Sequence, residues 1–142
     1  MDMPTLIDVN VFEDVARKRR DWRTCFTVLE HFRDPDAEGY VSAWTVAVIY
    51  YFREKRLGDA RARAVTRKMI RGLTVLDFTS DITYLALDDK RFSDFEDALQ
   101  FHIAQKNGLE AIVTKNVRDF KVVENEISIL KPKEFLAQIE KG

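Results

Sequence analysis

The stretch LIDVN, residues 6–10, is a short apolar run that ends in an aspartate, with an asparagine two residues further on. The run predicts a buried strand over residues 6–9. An unpaired carboxylate at the end of a buried strand is costly. We therefore expect Asp8 to bind a partner, and the rest of the sequence indicates the kind of partner.

Strand-like and helix-like segments alternate along the sequence. Further strands are predicted over residues 39–41, 73–76, 111–113 and 127–130. Helices are predicted over residues 11–18, 22–32, 43–56, 59–71 and 82–87, then one from a capping box at 93–96, with Ser93 as the cap, to 107–108, and one that begins at Pro132. This alternation predicts one α/β domain over residues 1–142, a three-layer α/β/α sandwich around a mostly parallel sheet of about five strands.

The helix predicted over residues 43–56 has no polar face in its middle. A helix that is apolar all round is normally buried. We therefore expect it to be covered on nearly all sides, with its aromatic residues Trp44, Tyr50 and Tyr51 in the core. Any of the three that is exposed instead could stack on a base.

Composition limits the class of protein. The chain has 142 residues, 46% of them hydrophobic, and a single cysteine, so it can form a core without a disulfide. No apolar run approaches the ~18 residues of a membrane span and no secretion signal is present, which predicts a cytoplasmic protein. A net charge of −1 excludes bulk attraction to nucleic acid. Local basic patches could still bind RNA, and the candidates are Arg61, Arg63, Arg67 and Lys68.

Acidic and polar side chains follow the predicted strands. Asp8 ends the first strand, and Thr114, Asn116 and Asp119 come after the fourth. In a parallel sheet, ligands bind outside the carboxyl ends of the strands, where these groups can meet. Asp94 and Asp97 lie three residues apart at the start of the capped helix and so share one face.

Carboxylates brought together repel each other unless a cation lies among them. Hard oxygen ligands suit Mg²⁺ or Mn²⁺, which keep several waters and bind phosphate oxygens as well. The sequence therefore predicts a metal site at Asp8, Asp97 and Asp119. The corresponding chemistry is metal-assisted hydrolysis of a phosphodiester.

Four segments, LIDVNVFED, YVSAWTVAVIYYF, DFEDALQ and IVTKNVRDF, occur in this order and together resemble the PIN domain, in particular its bacterial toxin-nuclease branch. The similarity runs from residue 6 to about residue 135. It implies a Mg²⁺- or Mn²⁺-dependent ribonuclease, often the toxin partner of a small antitoxin and often a dimer.

The resemblance also assigns residues. Asp8 matches the family's first-strand acid, and Asp97 matches the acid of the later helix. Asp119 falls in the final acidic loop with Thr114 and Asn116. Asn10 matches a residue that commonly supports the first acid.

The sequence departs from the family pattern at Val48, where the family usually has an acid. Asp94 or Asp14 could supply part of the missing charge. The alternative is a PIN-like module that binds RNA or a protein without cutting. A phosphotransferase of the haloacid dehalogenase kind is disfavoured because Asn10 stands where a second aspartate is needed, and no glycine-rich turn supports a dinucleotide site.

Overall fold

A computed structural model describes residues 3–141 of the chain. In order, its elements are β1 (Thr5–Ile7), α1 (Val9–Arg17), α2 (Trp22–His31), β2 (Gly39–Ser42), α3 (Ala43–Leu57), α4 (Asp59–Met69), β3 (Thr74–Leu76), α5 (Ser80–Asp88), α6 (Phe95–Lys106), β4 (Ala111–Val113), a 3-10 helix (Val117–Val123), β5 (Ser128–Leu130) and α7 (Pro132–Lys141). Among these described residues, no helix is both long and apolar enough to cross a membrane.

The five strands form one sheet in the order β3-β2-β1-β4-β5, and every pairing is parallel. Leu6 of β1 pairs with Tyr40 on one side and with Ile112 on the other. The carboxyl ends of the central strands β1 and β4 therefore lie side by side, with Ile7 opposite Val113. The prediction of a parallel sheet is confirmed.

Alternate residues of the strands belong to two separate cores. Leu6 and Ile112 pack in a core with residues of α5 and α6, whereas Ile7 and Val113 pack in a core with residues of α1, α2 and α7. This follows from the period of two along a strand, which turns successive side chains to opposite faces. Helices cover both faces, so the predicted three-layer α/β/α architecture is confirmed.

The first strand is shorter than predicted. β1 ends at Ile7 and α1 begins at Val9, so Asp8 is the residue that caps α1 rather than a strand residue. The Asp8 carboxylate accepts a hydrogen bond from the Val9 N–H at the amino end of the helix. Such capping satisfies a donor that the helix leaves unpaired.

The prediction that α3 is buried on nearly all sides is wrong. Its buried residues are Thr45, Ile49 and Arg53, which recur every four positions on one face. Trp44 and Tyr51 are 37% and 53% exposed. The physical reason is that α3 packs on the described chain through that single face, so its remaining apolar residues form surface.

Candidate metal site

Asp8 is the most enclosed acid of the predicted site, at 2% exposure. Its Oδ1 accepts hydrogen bonds from the Val9 N–H at 2.8 Å and from Gln100 Nε2 at 3.3 Å. Its Oδ2 accepts from Thr114 Oγ1 at 2.8 Å and from Asn10 Nδ2 at 3.2 Å. Burial raises the pKa of Asp8 even though these four donors favour the charged form. The chain thus holds this carboxylate in one orientation at an electrostatic cost.

Asn10 and Thr114 join the segment after β1 to the segment after β4. Asn10 Oδ1 accepts from the Lys115 N–H at 3.0 Å, and Asn10 Nδ2 also lies 3.4 Å from Thr114 Oγ1. Thr114 Oγ1 in turn accepts from the Asn116 N–H at 3.0 Å. Two of the predicted supporting residues, Asn10 and Thr114, therefore contact Asp8 and each other. Asn116 enters this network through its backbone, not its amide side chain.

Asp97 lies half-buried in the first turn of α6. Burial and then the negative charges of Asp8, Asp94, Asp119 and Glu96 raise the pKa of Asp97 to about 7. Three acids predicted from distant parts of the sequence therefore lie close enough to interact electrostatically. Their mutual repulsion favours a cation among them.

Asp94 is the residue that caps α6, so the prediction of Ser93 as the cap is wrong. The Asp94 carboxylate accepts from the Glu96 N–H at 2.7 Å and from the Asp97 N–H at 3.4 Å. Asp and Ser are nearly equal in preference at this position, so the preference for serine could not decide between neighbours. Asp94 is exposed and engaged with the backbone, and it acts on Asp97 through its charge.

Asp119 lies on the exposed surface of the 3-10 helix. It reaches the buried acids through its charge on Asp97. The site is therefore graded from Asp8 at the buried end, through the half-buried Asp97, to Asp119 at the exposed rim.

The site also contains Gln100 and Thr45, which the sequence did not predict, and Ser42, which the sequence predicts only as the cap of the helix over residues 43–56. Gln100 Nε2 bridges Asp8 Oδ1 and Thr45 Oγ1, the latter at 2.8 Å. Ser42 caps α3, with its hydroxyl accepting from the Thr45 N–H and donating to Thr45 Oγ1, both at 3.0 Å. One signal could have found Gln100: it follows Asp97 by three residues and so lies on the same face of the helix.

Val48 and the exposed aromatic residues of α3 line an apolar groove beside Asn10. The lining also includes charged residues of α1 and α6, and in full it consists of Val9, Asn10, Glu13, Arg17, Arg19, Trp44, Ala47, Val48, Tyr51, Phe52 and Glu96. Val48 is half-buried at this wall. α3 thus presents an apolar surface where the resemblance predicts an acid.

Two charged residues of α1 near Asn10 already have partners. The Glu13 carboxylate accepts hydrogen bonds from Arg53 Nη2 at 2.8 Å and from Arg53 Nη1 at 3.0 Å. Both side chains are buried. Asp14 pairs with Lys115 Nζ at 3.0 Å and with Arg19 at 3.7 Å. The Asp14 charge is therefore matched by these cations, which leaves little excess charge to replace an acid at Val48.

The predicted RNA-binding cations Arg61, Arg63, Arg67 and Lys68 all lie exposed on α4. Arg63 Nε is held by the Asp59 carboxylate at 2.9 and 3.0 Å. Within residues 3–141, none of the four makes a hydrogen bond or ion pair with the acids of the site. Their role in binding RNA remains a prediction.

The donor set fits a hard divalent cation. Among the described side chains, no three acidic, histidine or cysteine residues are grouped closely enough to hold an ion by themselves. Mg²⁺, however, usually keeps several waters and is bound through one or two carboxylates. Burial, and then the negative charges of the neighbouring acids, raise the pKa of Asp97 to about 7, and a cation bound there would offset this repulsion. Asp8 and Asp97 are the residues that would hold the ion, with Asp119 at the rim.

A family model described as the PIN domain matches residues 4–118, which is most of the 142-residue chain. The chain therefore belongs to the PIN domain family, as the four sequence segments predicted. The match includes Asp8, Asp97 and Thr114 and ends one residue before Asp119.

Solved structures show the same fold. A toxin-antitoxin complex from Klebsiella pneumoniae has a TM-score of 0.67 at 20% identity and covers 90% of this chain and 97% of that chain. DNA-bound VapBC from Salmonella typhimurium has a TM-score of 0.66 at 22% identity, covering 92% and 98%. VapC20 from Mycobacterium tuberculosis, described as a sarcin-ricin loop cleaving toxin, has a TM-score of 0.57 at 17% identity, covering 76% and 86%. A comparison with curated proteins finds no match.

Proposed function

We propose that this chain is a Mg²⁺- or Mn²⁺-dependent endoribonuclease that hydrolyses phosphodiester bonds of single-stranded RNA. The observation that carries the proposal is that Asp8, Asp97 and Asp119 lie close enough to interact: burial and then the neighbouring acids, Asp8 and Asp119 among them, raise the pKa of Asp97 to about 7. Membership of the PIN family and the likeness to a sarcin-ricin loop cleaving toxin support a nuclease.

Each residue has a proposed role. Asp8 and Asp97 hold the cation, and Asp119 supports it at the rim. Asn10 and Thr114 keep Asp8 oriented through hydrogen bonds of 3.2 and 2.8 Å. A divalent ion at such a site polarises the phosphate and lowers the pKa of the attacking water.

The proposed RNA substrate also needs cations along its backbone. The exposed residues of α4, Arg61, Arg67 and Lys68, can contact phosphates without first breaking an ion pair, whereas Arg63 must leave Asp59. The exposed Trp44 and Tyr51 offer surfaces on which bases can stack.

We further propose that the chain is the toxin of a toxin-antitoxin pair and binds its antitoxin at the α3 groove. Exposed apolar patches with a polar rim mark protein-binding sites. Trp44 and Tyr51 provide the apolar surface, and the charged Arg17 and Glu96 also line the groove. The likeness to a Klebsiella pneumoniae toxin-antitoxin complex supports this partner.

The other proposed assembly is a homodimer. Sedimentation of the Tyr51→Glu and Tyr84→Glu variants measures whether each still dimerises and so identifies the surface that forms the dimer. Tyr84 lies on α5 and is 65% exposed. A dimer that dissociates only in Tyr51→Glu assigns the α3 groove to a second copy and contradicts its use by an antitoxin. A dimer that persists in Tyr51→Glu, or a wild-type chain that is a monomer, leaves the groove free and supports its use by an antitoxin.

A cleavage assay on single-stranded RNA tests the enzyme. We expect cutting with Mg²⁺ or Mn²⁺, none with chelator, and a loss of more than ~100-fold in Asp8→Asn and in Asp97→Asn. The matched control is Asp36→Asn, which alters an exposed aspartate of the turn before β2 and should cut normally. Metal-dependent cutting that survives Asp8→Asn contradicts the site assignment, and RNA binding without any metal-dependent cutting contradicts the enzyme.

A further inference from the structure

Gln100 is a fully buried amide in the middle of the fold. It lies on α6 at 0% exposure, one turn after Asp97. Its Nε2 donates to Thr45 Oγ1 at 2.8 Å and to Asp8 Oδ1 at 3.3 Å. Its Oε1 has no hydrogen-bond partner among the described residues. A buried carbonyl oxygen without a donor is costly, so this amide is not the side chain that stability alone would select.

The chemistry of the neighbours determines how the amide is turned. The Asp8 carboxylate is an acceptor only, so the group that faces it must be a donor. Turning the amide over would place Oε1 against Asp8 Oδ1 and leave both N–H groups of Gln100 without these acceptors. The amide therefore keeps its nitrogen between Asp8 and Thr45 and leaves its oxygen unpaired.

The contact with Thr45 connects Asp8 to the start of α3. Thr45 Oγ1 accepts from both Gln100 Nε2 and Ser42 Oγ, and the Ser42 hydroxyl caps the helix. In the part of the chain that the structure describes, Gln100 is the one side chain that hydrogen-bonds both Asp8 and a residue of α3. A shift of α3 would therefore move the Gln100 amide and, through it, the Asp8 carboxylate.

We propose that Gln100 is a positioning residue that fixes the Asp8 carboxylate for metal binding, with Thr45 as its anchor. The inference rests on the proposed function, since it concerns the same site. Gln100 does not touch the reacting atoms in this arrangement. It orients Asp8 Oδ1 in the way that Thr114 and Asn10 orient Asp8 Oδ2.

The test compares Gln100→Met with the wild-type chain. Methionine has a similar length and no hydrogen-bonding amide, so it removes the contact with Asp8 and the unpaired oxygen together. We expect the variant to unfold at the same or a higher temperature, to bind Mn²⁺ about tenfold more weakly by titration of the metal alone, and to cut RNA with a lower kcat at unchanged KM. The matched control is Gln105→Met, an exposed glutamine of the same helix, which should change none of these.

A second variant keeps the inference testable if Gln100→Met does not fold. Thr45→Val removes the anchor of the amide without touching Asp8, and we expect a loss of Mn²⁺ affinity smaller than that of Gln100→Met. If Thr45 acts through Gln100, the double variant binds Mn²⁺ no more weakly than Gln100→Met alone. If the two losses of Mn²⁺ affinity add, Thr45 does not act through Gln100. If Gln100→Met binds Mn²⁺ within twofold of the wild-type chain, Gln100 does not position Asp8. A wild-type chain that neither binds Mn²⁺ nor cuts RNA overturns the proposed function itself.

Discussion

On the strand side of the site, at the carboxyl ends of β1 and β4, Asp8 is buried and has partners, whereas on the α3 side apolar side chains lie exposed. Asp8 accepts four hydrogen bonds at 2% exposure. On the α3 side, Trp44, Val48 and Tyr51 line the apolar groove. The two sides therefore suit different ligands. The strand side matches a charged ion, and the α3 side matches an apolar surface that displaces water when it binds.

The difference teaches which part of the site is complete within one chain. A buried carboxylate is stable only when the chain supplies its donors, so Asp8 needs no second protein to be oriented. An exposed aromatic surface gains stability when a partner covers it. The strand side thus fits the proposed ion, and the α3 side fits the proposed protein partner.

The largest expected effect concerns the one buried charge that α3 contributes. Arg53 binds Glu13 through two hydrogen bonds, with both side chains nearly inaccessible. Arg53→Met leaves the Glu13 carboxylate buried, and of its ion-pair partners within residues 3–141 only the exposed Arg17 remains, at 3.3 Å. We expect a loss of about 3 kcal/mol in the free energy of unfolding, measured by urea titration.

The control for this change replaces both partners. Arg53→Met combined with Glu13→Leu should recover most of the loss, because no unpaired charge remains. Arg33→Met breaks an exposed pair with Glu30 and should cost less than about 1 kcal/mol. Equal losses in the single and double variants of the buried pair show instead that packing, rather than charge, holds α3 to α1.

On the strand side, the protonation of Asp97 makes the stability of the fold depend on pH. Its pKa is raised to about 7 by burial and by neighbouring acids, so its protonated form stabilises the fold. That contribution is complete below the ordinary value near 4 and is lost as the pH rises through about 7. Asp97→Asn should therefore raise the unfolding temperature at pH 8 by ~3 °C and have little effect at pH 4.

The same titration affects the proposed ion. A protonated Asp97 cannot ligate, so Mn²⁺ affinity of the wild-type chain should increase as the pH rises from 6 to 8. Titration of Mn²⁺ at these two pH values measures the change. An affinity that does not vary with pH removes Asp97 from the ligands.

Val48→Glu adds a carboxylate to the apolar wall of the α3 groove and so makes the α3 side acidic like the strand side. A carboxylate added at this wall attracts a divalent ion through solvent, and an attraction on the order of 1 kcal/mol corresponds to roughly fivefold in affinity. We expect Mn²⁺ to bind about fivefold more tightly, as measured by titration. Val65→Glu on α4 is the control and should leave the affinity unchanged, since Val65 lines a different surface. Unchanged affinity in Val48→Glu places this wall away from the ion.

The sequence predicted what strand ends and spacing determine. Asp8 was predicted near the end of the first strand and Thr114 directly after the fourth. Parallel strands bring their carboxyl ends together, so the contact of the two residues at 2.8 Å followed from the fold class. Asp97 followed from its place in the first turn of a capped helix. These predictions needed only the order of elements and the direction of the chain.

Other features depend on packing between elements that the sequence leaves open. Gln100 lies among apolar residues of α6, and its role depends on where Thr45 comes to rest. The exposure of Trp44 and Tyr51 was missed because an apolar helix indicates burial without saying whether its own chain or a partner provides the cover. The exchange of Ser93 for Asp94 as the cap is an error of one residue between two suitable side chains.

The smallest expected effect concerns RNA along α4. Arg61→Gln combined with Arg67→Gln removes two exposed cations, and each lost phosphate contact on a single strand should lower the slope of log affinity against log salt by about 0.7. Binding of a fluorescent single-stranded RNA at several salt concentrations measures this slope. The matched pair is Arg118→Gln with Lys131→Gln, two exposed cations that flank Asp119. A slope that falls by about 1.4 only in the second pair moves the RNA path from α4 to the rim of the site, next to the acids that would cut it.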